Sequence, residues 1–312
     1  MNSITNEIFF RSPGKLLITG EYLVLHGAEA LSLPVSFGQS LRIKPVQGLP
    51  ALLWKTIVVN KIWFEASLSI PELNIINTSN TSIALNLRTL LLNTRHFNPD
   101  FLTKNERLEA ISELDYDISW GLGSSSSLTV NISRWAGINP FDLHFKTFDG
   151  SGFDVASCLA AKPIVYRLKN KLPEYNELNF KPPFMDKIWF VYLELKKNTS
   201  SAIKTFKKSR KNILNNDIEK ISNITRNIIK SNDLKMFISY LQEHDSIIAR
   251  LTGFLPLSEK EFGNFNGYAK YLGAWGGDFA MIVSTDPSEY ISTWLMKRGF
   301  KTCFHFGEII MA

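Results

Sequence analysis

Apolar positions change period several times along the 312-residue chain, and each change predicts an element. Glu7–Phe10 and Lys15–Leu25 read as strands. The "RSPG" between them reads as a turn, since Pro13 fixes one dihedral and Gly14 permits an unusual one. After a break at Gly27, "LSLPVSFGQSLRIKPV" is extended. "TIVVNKIWFEASLSI" is β-branched and partly alternating, which predicts a hairpin turning near Asn60-Lys61. From Ser79 to Asn93 the period becomes helical, with Ile83, Leu87, Leu90 and Leu91 recurring on one face. "LDYDISW" predicts a strand that enters "GLGSSSS". Leu128, Ile132, Trp135 and Ala136 then share a helical face, and Gly137 closes that helix. The serines therefore form a strand–glycine loop–helix junction. A flexible linker would carry no amphipathic helix beginning inside it.

Asn139 predicts the cap of a short helix with Pro140 in its first turn. "DGSGFDVASCLAAKPIVYRL" reads as a glycine turn, a small-residue helix from Phe153, and a strand at Pro163–Leu168. The polar, proline-containing stretch "KNKLPEYNELNFKPPFMDK" predicts the domain boundary, giving domains 1–180 and 181–312. Beyond it come a strand (Ile188–Leu195), a helix (Ser200–Lys211), and helices within Ile213–Lys230 and Leu234–Leu251. The glycine loop "GAWGGDF" follows, then a strand (Phe279–Ser284), a helix (Pro287–Arg298) and a last strand (Lys301–Phe306). This alternation predicts an α/β or α+β protein.

Composition narrows the function classes. Apolar residues make up 45% of the chain, enough for a core. No stretch approaches the roughly 18 uninterrupted apolar residues of a membrane helix, and no secretory signal is expected. A soluble, cytoplasmic protein without a membrane partner follows as the expectation. The N-x-S/T triplets at Asn77, Asn198 and Asn223 then carry no glycosylation meaning. Cys158 and Cys303 stand far apart in apolar surroundings, so both are expected buried and reduced, with neither a disulfide framework nor a zinc site. The net charge of +6 comes largely from "KKNTSSAIKTFKKSRK" at Lys196–Lys211. This basic run has no stacking-aromatic pattern, so it reads as a solvated helix face or as a surface attracting an anionic small molecule, and nucleic acid is not expected.

Chemistry concentrates at three glycine-rich stretches. Gly121, Leu122, Gly123 and Ser124–Ser127 have the makeup of a phosphate cradle: bare backbone N–H groups, a helix N-terminus and hydroxyls. No lysine follows the glycines as in a Walker A loop, and the third glycine of a dinucleotide fingerprint is missing. "SPGKLLITGEYLVLHG" places Lys15 at the head of a strand. "GSGFDVAS" places Asp154 in the first turn of a helix. Taken singly, each has an ordinary reading: a helix cap, an exposed lysine, an acid complementing a helix dipole, or a tight turn.

Together and in order, "PGKLLITGEYLVLHGAEAL", "GLGSSSS" and "GAWGGDF" resemble the three motifs of the GHMP superfamily of small-molecule kinases, across Pro13 to Phe279. "GEYLVLHG" and "GSGFDVAS" are most similar to mevalonate and phosphomevalonate kinases. Gly152-Phe153-Asp154-Val155-Ala156 resembles the signature of a bacterial branch with Gly-Tyr-Asp-Ile-Ala. The resemblance implies an α+β fold of two domains, the N-terminal one like ribosomal-protein S5 domain 2 and the C-terminal one ferredoxin-like. It implies ATP and Mg²⁺ as cofactors and a kinase of a small anionic metabolite, mevalonate- or phosphomevalonate-like. Gly121–Ser127 would hold the ATP phosphates, and Ser125 would approach Mg²⁺. Asp154 would face the acceptor hydroxyl, with Lys15 near it to offset charge on the γ-phosphate. Glu21 and Tyr22, together with Gly273, Ala274, Trp275, Gly276 and Gly277, would contact substrate. Tyr22 stands where mevalonate kinases carry histidine, and Trp275 where the third motif has glycine. The glutamate that mevalonate kinases supply to the metal has no counterpart in "NPFDLHFKTF", where Asp142 is the nearest acid. A binding protein of the same fold without catalysis, and an ATP-dependent decarboxylase, remain alternatives at this level.

Overall fold

The computed structural model describes residues 7–194, 214–273 and 278–311. Its elements form two compact units. One comprises Met1–Gly14, Phe37–Ile118 and Leu122–Leu159; the other comprises Lys15–Ser36, Ser119–Gly121 and Ala160–Ala312.

The first unit is built on β1 (Ile8–Leu17), β2 (Ala30–Pro45), β3 (Ala51–Val58), β4 (Lys61–Ser69), β5 (Ile75–Thr78) and β6 (Arg107–Leu114). The strands run β5-β4-β3-β6-β2, and β1 also pairs with β2. β3 and β6 are parallel, while β3 and β4 form an antiparallel hairpin. Val59 and Asn60 turn that hairpin with φ of 47° and 62°, the positive-φ geometry that matches strand twist. The helices are α1 (Thr81–Phe97), α2 (Ser124–Ala136), α3 (Pro140–Thr147) and α4 (Phe153–Leu159). One core joins sheet to helices: Leu41, Leu52, Trp54, Phe64 and Leu68 pack with Leu87, Leu91 and Ile132. Asn139 caps α3 as the sequence predicts, accepting from Phe141 N–H, and Asn80 caps α1, accepting from Ile83 N–H.

The second unit takes the first half of β2, where Ala30–Ser32 pair with β7 (Ile164–Lys169); β7 then pairs with β8 (Leu172–Glu177). It also holds a four-stranded antiparallel sheet in the order β10-β11-β9-β12, formed from β9 (Ile188–Tyr192), β10 (Tyr268–Tyr271), β11 (Phe279–Val283) and β12 (Cys303–His305). Its longer helices are α5 (Asn215–Lys230), α6 (Leu234–Thr252) and α7 (Ser288–Lys297).

Four expectations are corrected. "RSPG" is not a turn: β1 runs through it and, among the described residues, pairs with β2 alone, an edge position where proline is tolerated. The strand expected over Lys15–Leu25 ends at Leu17. The chain then turns at Gly20 (φ 89°), where an added Cβ would overlap Ala30 Cβ at 2.6 Å, into a 3₁₀ turn at Leu23–His26. β6 stops at Leu114 because the Asp115 carboxylate takes Gly38 N–H at 2.7 Å, and Ile118–Trp120 form a 3₁₀ turn. Cys303 is half-buried, whereas Cys158 is buried; the two form no disulfide. Three strands, β5, β8 and β10, were not foreseen, and β6 precedes the strand expected at Leu114–Trp120, sharing only Leu114 with it. β8 is polar and largely exposed, and β10 is buried at all four positions, so neither alternates. The helix expected at Ser200–Lys211 lies outside the described residues.

Candidate active site

The serine loop enters α2 through Gly123, whose φ of 94° starts the helix. The backbone N–H groups of Ser126 and Ser127 turn back to Gly123 O at 3.0 Å, and helix geometry leaves those of Ser124 and Ser125 without an intrahelical acceptor. The four hydroxyls separate by burial. Ser125 is exposed and Ser124 half-buried, whereas Ser126 and Ser127 are buried. Ser127 Oγ donates to Gln39 Oε1 at 2.7 Å, and Gln39 Nε2 donates to Ser112 Oγ at 2.7 Å. Asn131 Nδ2 donates to Gln39 O at 2.9 Å, and Ser12 Oγ donates to Asn131 Oδ1 at 2.8 Å. This satisfied buried network ties α2 to β1, β2 and β6. The inner serines therefore anchor the helix, and the outer two face the opening.

That opening is a pocket of about 390 Å³ within the first unit. Ser124 and Ser125 form one end. Trp54, Trp63 and Phe64 of the hairpin and Phe148 after α3 supply apolar walls, and Gln39 of β2 and Asn86 of α1 supply amides. Aromatic walls, amides and a helix N-terminus suit a flat heterocycle attached to an anion. The sequence motifs mark only the Ser end; the hairpin and α1 residues lie far from it in the chain.

α4 packs on α2 through Val130, Val155 and Cys158. Asp154 lies half-buried in the first turn of α4, behind Gly152 (φ 82°). Asp142 is exposed in the first turn of α3. His144 of the same helix is buried, and its ring nitrogens have no hydrogen-bond partner among the described residues. Burial lowers its pKa, partly opposed by the Asp154 carboxylate.

In the second unit, Lys15 Nζ lies 3.5 Å from Gly121 O. A Cβ at Gly121, where φ is 66°, would overlap Asp278 Oδ2, so this glycine is required for the close approach of the acid. Burial raises the Asp278 pKa and the Lys15 ammonium opposes it. Asp278 is a candidate that motif reading passed over, although "GAWGGDF" displays it. Gly273 N–H donates to Leu17 O at 3.3 Å. Ala274, Trp275, Gly276 and Gly277 lie outside the described residues, as does the basic run Lys196–Lys211. Lys15 belongs to one unit and Asp154 to the other.

Glu21 is 1% exposed and pairs with Lys270, 0% exposed, at 2.7 Å. Tyr22 is half-buried at φ 62° and ψ −46°, a rare conformation for a bulky residue. Among the described residues no group of three His, Cys, Asp or Glu side chains could hold a metal ion. A magnesium ion at the Ser125 hydroxyl would complete its shell with phosphate oxygens and water, as that ion commonly does.

No protein-family model matches the sequence, and no curated protein matches it. Solved structures do. The mevalonate kinase of Methanococcus jannaschii is 19% identical, covering 96% of this chain and 97% of that one, with a TM-score of 0.69. The phosphomevalonate kinase of Streptococcus pneumoniae, in complex with phosphomevalonate and AMPPNP, is 15% identical over 95% and 99%, with a TM-score of 0.69. Lactococcus lactis galactokinase complexed with galactose is 12% identical over 96% and 92%, with a TM-score of 0.66. With its large mixed sheet and smaller antiparallel sheet, this chain has the two-domain α+β fold of the GHMP kinases.

Proposed function

We propose that this protein is an ATP- and Mg²⁺-dependent kinase of a small anionic metabolite, mevalonate- or phosphomevalonate-like, of the branch with the Gly-Tyr-Asp-Ile-Ala signature, which Gly152-Phe153-Asp154-Val155-Ala156 matches with two conservative changes. The observation that carries the reading is the pocket where Ser124 and Ser125 at the start of α2 meet Trp54, Trp63 and Phe148. The AMPPNP complex of the S. pneumoniae relative supports a nucleotide there. In this reading residues 1–180 bind ATP and carry catalysis, and residues 181–312 close on the acceptor.

The roles follow from chemistry the side chains can perform. The N–H groups of Ser124 and Ser125 bind phosphate oxygens, and the Ser125 hydroxyl holds the metal. The metal, when bound, offsets charge on the transferring phosphoryl group. Asp154 accepts the proton of the acceptor hydroxyl, whose oxygen bonds to phosphorus as the bond to the ADP oxygen breaks. Lys15 supplies positive charge toward the γ-phosphate. Glu21, Tyr22 and the segment Gly273–Gly277 border the acceptor, with Asp142 the nearest acid as a second ligand to the same metal. Mass analysis of products from Mg-ATP and a panel of acceptors tests the reading.

A further inference from the structure

Glu21 and four side chains around it form a network in the second unit, and the phosphoryl-transfer reading gives no role to those four. Lys270 Nζ of β10 donates to Glu21 Oε1 at 2.7 Å, to Asp245 Oδ1 at 2.9 Å and to Tyr271 O at 3.2 Å. Tyr268 OH donates to Asp245 Oδ2 at 2.8 Å. His244 Nδ1 lies 3.2 Å from Asp245 Oδ1, and His244 Nε2 lies 2.9 Å from Glu21 Oε2. All four ionisable groups other than the tyrosine are at most 1% exposed.

Two carboxylates and one ammonium leave this buried site one positive charge short, and buried charge must be compensated. The missing proton belongs between His244 Nε2 and Glu21 Oε2. Gly20 N–H points at the same nitrogen from 3.1 Å. Nε2 cannot donate to Glu21 and accept from Gly20 at once. Protonated, it holds the Glu21 side chain; deprotonated, it takes the Gly20 N–H and abandons Glu21 Oε2, which has no other hydrogen-bond partner among the described residues. The groups facing His244 are Glu21 from the turn, Asp245 from α6 and Lys270 from β10. Their balance raises the His244 pKa, because the two carboxylates outweigh burial and the ammonium.

The network grips one short stretch. Gly20 and Glu21 precede Tyr22, whose positive φ sits among the turn bonds Leu23 N–H to Glu21 O, Val24 N–H to Gly20 O and Leu25 N–H to Tyr22 O, at 2.6, 2.9 and 3.2 Å. A bulky residue persists there only where surrounding structure over-determines it, and such strain gathers at ligand contacts. We propose that Glu21, His244, Asp245 and Lys270 are positioning residues that hold the Gly20–Tyr22 turn, and with it the acceptor-binding surface, by a buried proton and ammonium. The acceptor part rests on the kinase reading; the hold on the turn does not.

The test uses Lys270→Met and the charge-restoring double variant Glu21→Gln/Lys270→Met, which leaves Asp245 facing protonated His244 and guards against misfolding of the single variant. Two measurements are made on the full chain: amide exchange of Leu23 and Val24, and steady-state kinetics with an acceptor that the wild type phosphorylates. In the double variant, protection of Leu23 and Val24 falls about tenfold or more while the amides of α2 keep theirs. The KM for acceptor rises about tenfold, with the KM for ATP within about twofold. In the wild type the acceptor KM climbs as pH rises past the His244 titration, and His244→Gln removes that climb. Wild-type protection of the turn in the double variant overturns the proposal, and so does an equal loss in both KM values. If the wild type phosphorylates no acceptor, the kinase reading fails by itself, and the exchange measurement alone decides the hold on the turn.

Discussion

Lys270 Nζ lies 2.7 Å from Glu21 Oε1, and neither side chain is more than 1% exposed, although 249 positions separate them in the chain. Removing the ammonium leaves Glu21 and Asp245 as two carboxylates with one imidazolium. Breaking a buried pair in this way costs about 3–5 kcal/mol. Lys270→Met therefore lowers the urea midpoint sharply with the slope unchanged, and Glu21→Gln/Lys270→Met recovers much of the loss.

The same network sets a pH dependence of stability. The folded His244 pKa is raised, so its contribution is complete below the ordinary value near 6.5 and fades as pH rises through the folded value. The folded Asp245 pKa is lowered, chiefly because the Lys270 ammonium outweighs burial, so its contribution is complete above about 4 and fades in acid. Urea midpoints measured across pH show a plateau that falls on both sides, and His244→Gln flattens the alkaline fall.

Ser125 and Ser127 separate function from stability. Ser127→Ala leaves buried Gln39 Oε1 without its 2.7 Å donor and costs about 1–3 kcal/mol. Ser125→Ala removes an exposed hydroxyl, so it shifts stability by no more than about 0.5 kcal/mol. It lowers kcat and raises the Mg²⁺ needed for half-maximal rate. Urea unfolding and a magnesium titration of rate distinguish the two.

Gly121→Ala meets Asp278 Oδ2 and demands φ of 66° from a residue with a Cβ. The strain costs about 1–3 kcal/mol and displaces the carbonyl nearest Lys15 Nζ. Thermal unfolding shows the loss. Asp278→Ala in the same chain restores room for the Cβ and recovers part of it.

Trp63 is 43% exposed in the wall of the pocket that Ser124 and Ser125 close. Adding ATP quenches tryptophan fluorescence, and Trp63→Ala removes most of that quench while raising the KM for ATP about tenfold.

Residues with strong local signals were legible before any fold was known. Leu128, Ile132, Trp135 and Ala136 repeat at helical spacing ahead of Gly137, so α2 and the serines at its head follow from pattern alone. Asn139 caps the helix expected of it. The hairpin at Asn60 follows from β-branching and a polar turn. What sequence could not show is set by distant pairing. Lys270 in "YAKYLG" looks like any surface lysine until Glu21 and Asp245 close on it from two other elements. Asp278 hides behind a glycine run because its meaning lies in its approach to Gly121. "RSPG" reads as a turn because the partner that lets β1 run through Pro13 is elsewhere in the chain.

The central claim is phosphoryl transfer that depends on Asp154. Purified protein with Mg-ATP is incubated with mevalonate, phosphomevalonate, homoserine and sugars, and product masses are read beside those from Asp154→Asn. One acceptor gains a phosphoryl group with release of ADP, and Asp154→Asn slows that product about 10²-fold or more while folding as the wild type does. ATP binding without phosphorylation of any acceptor, or equal turnover by Asp154→Asn, would contradict it.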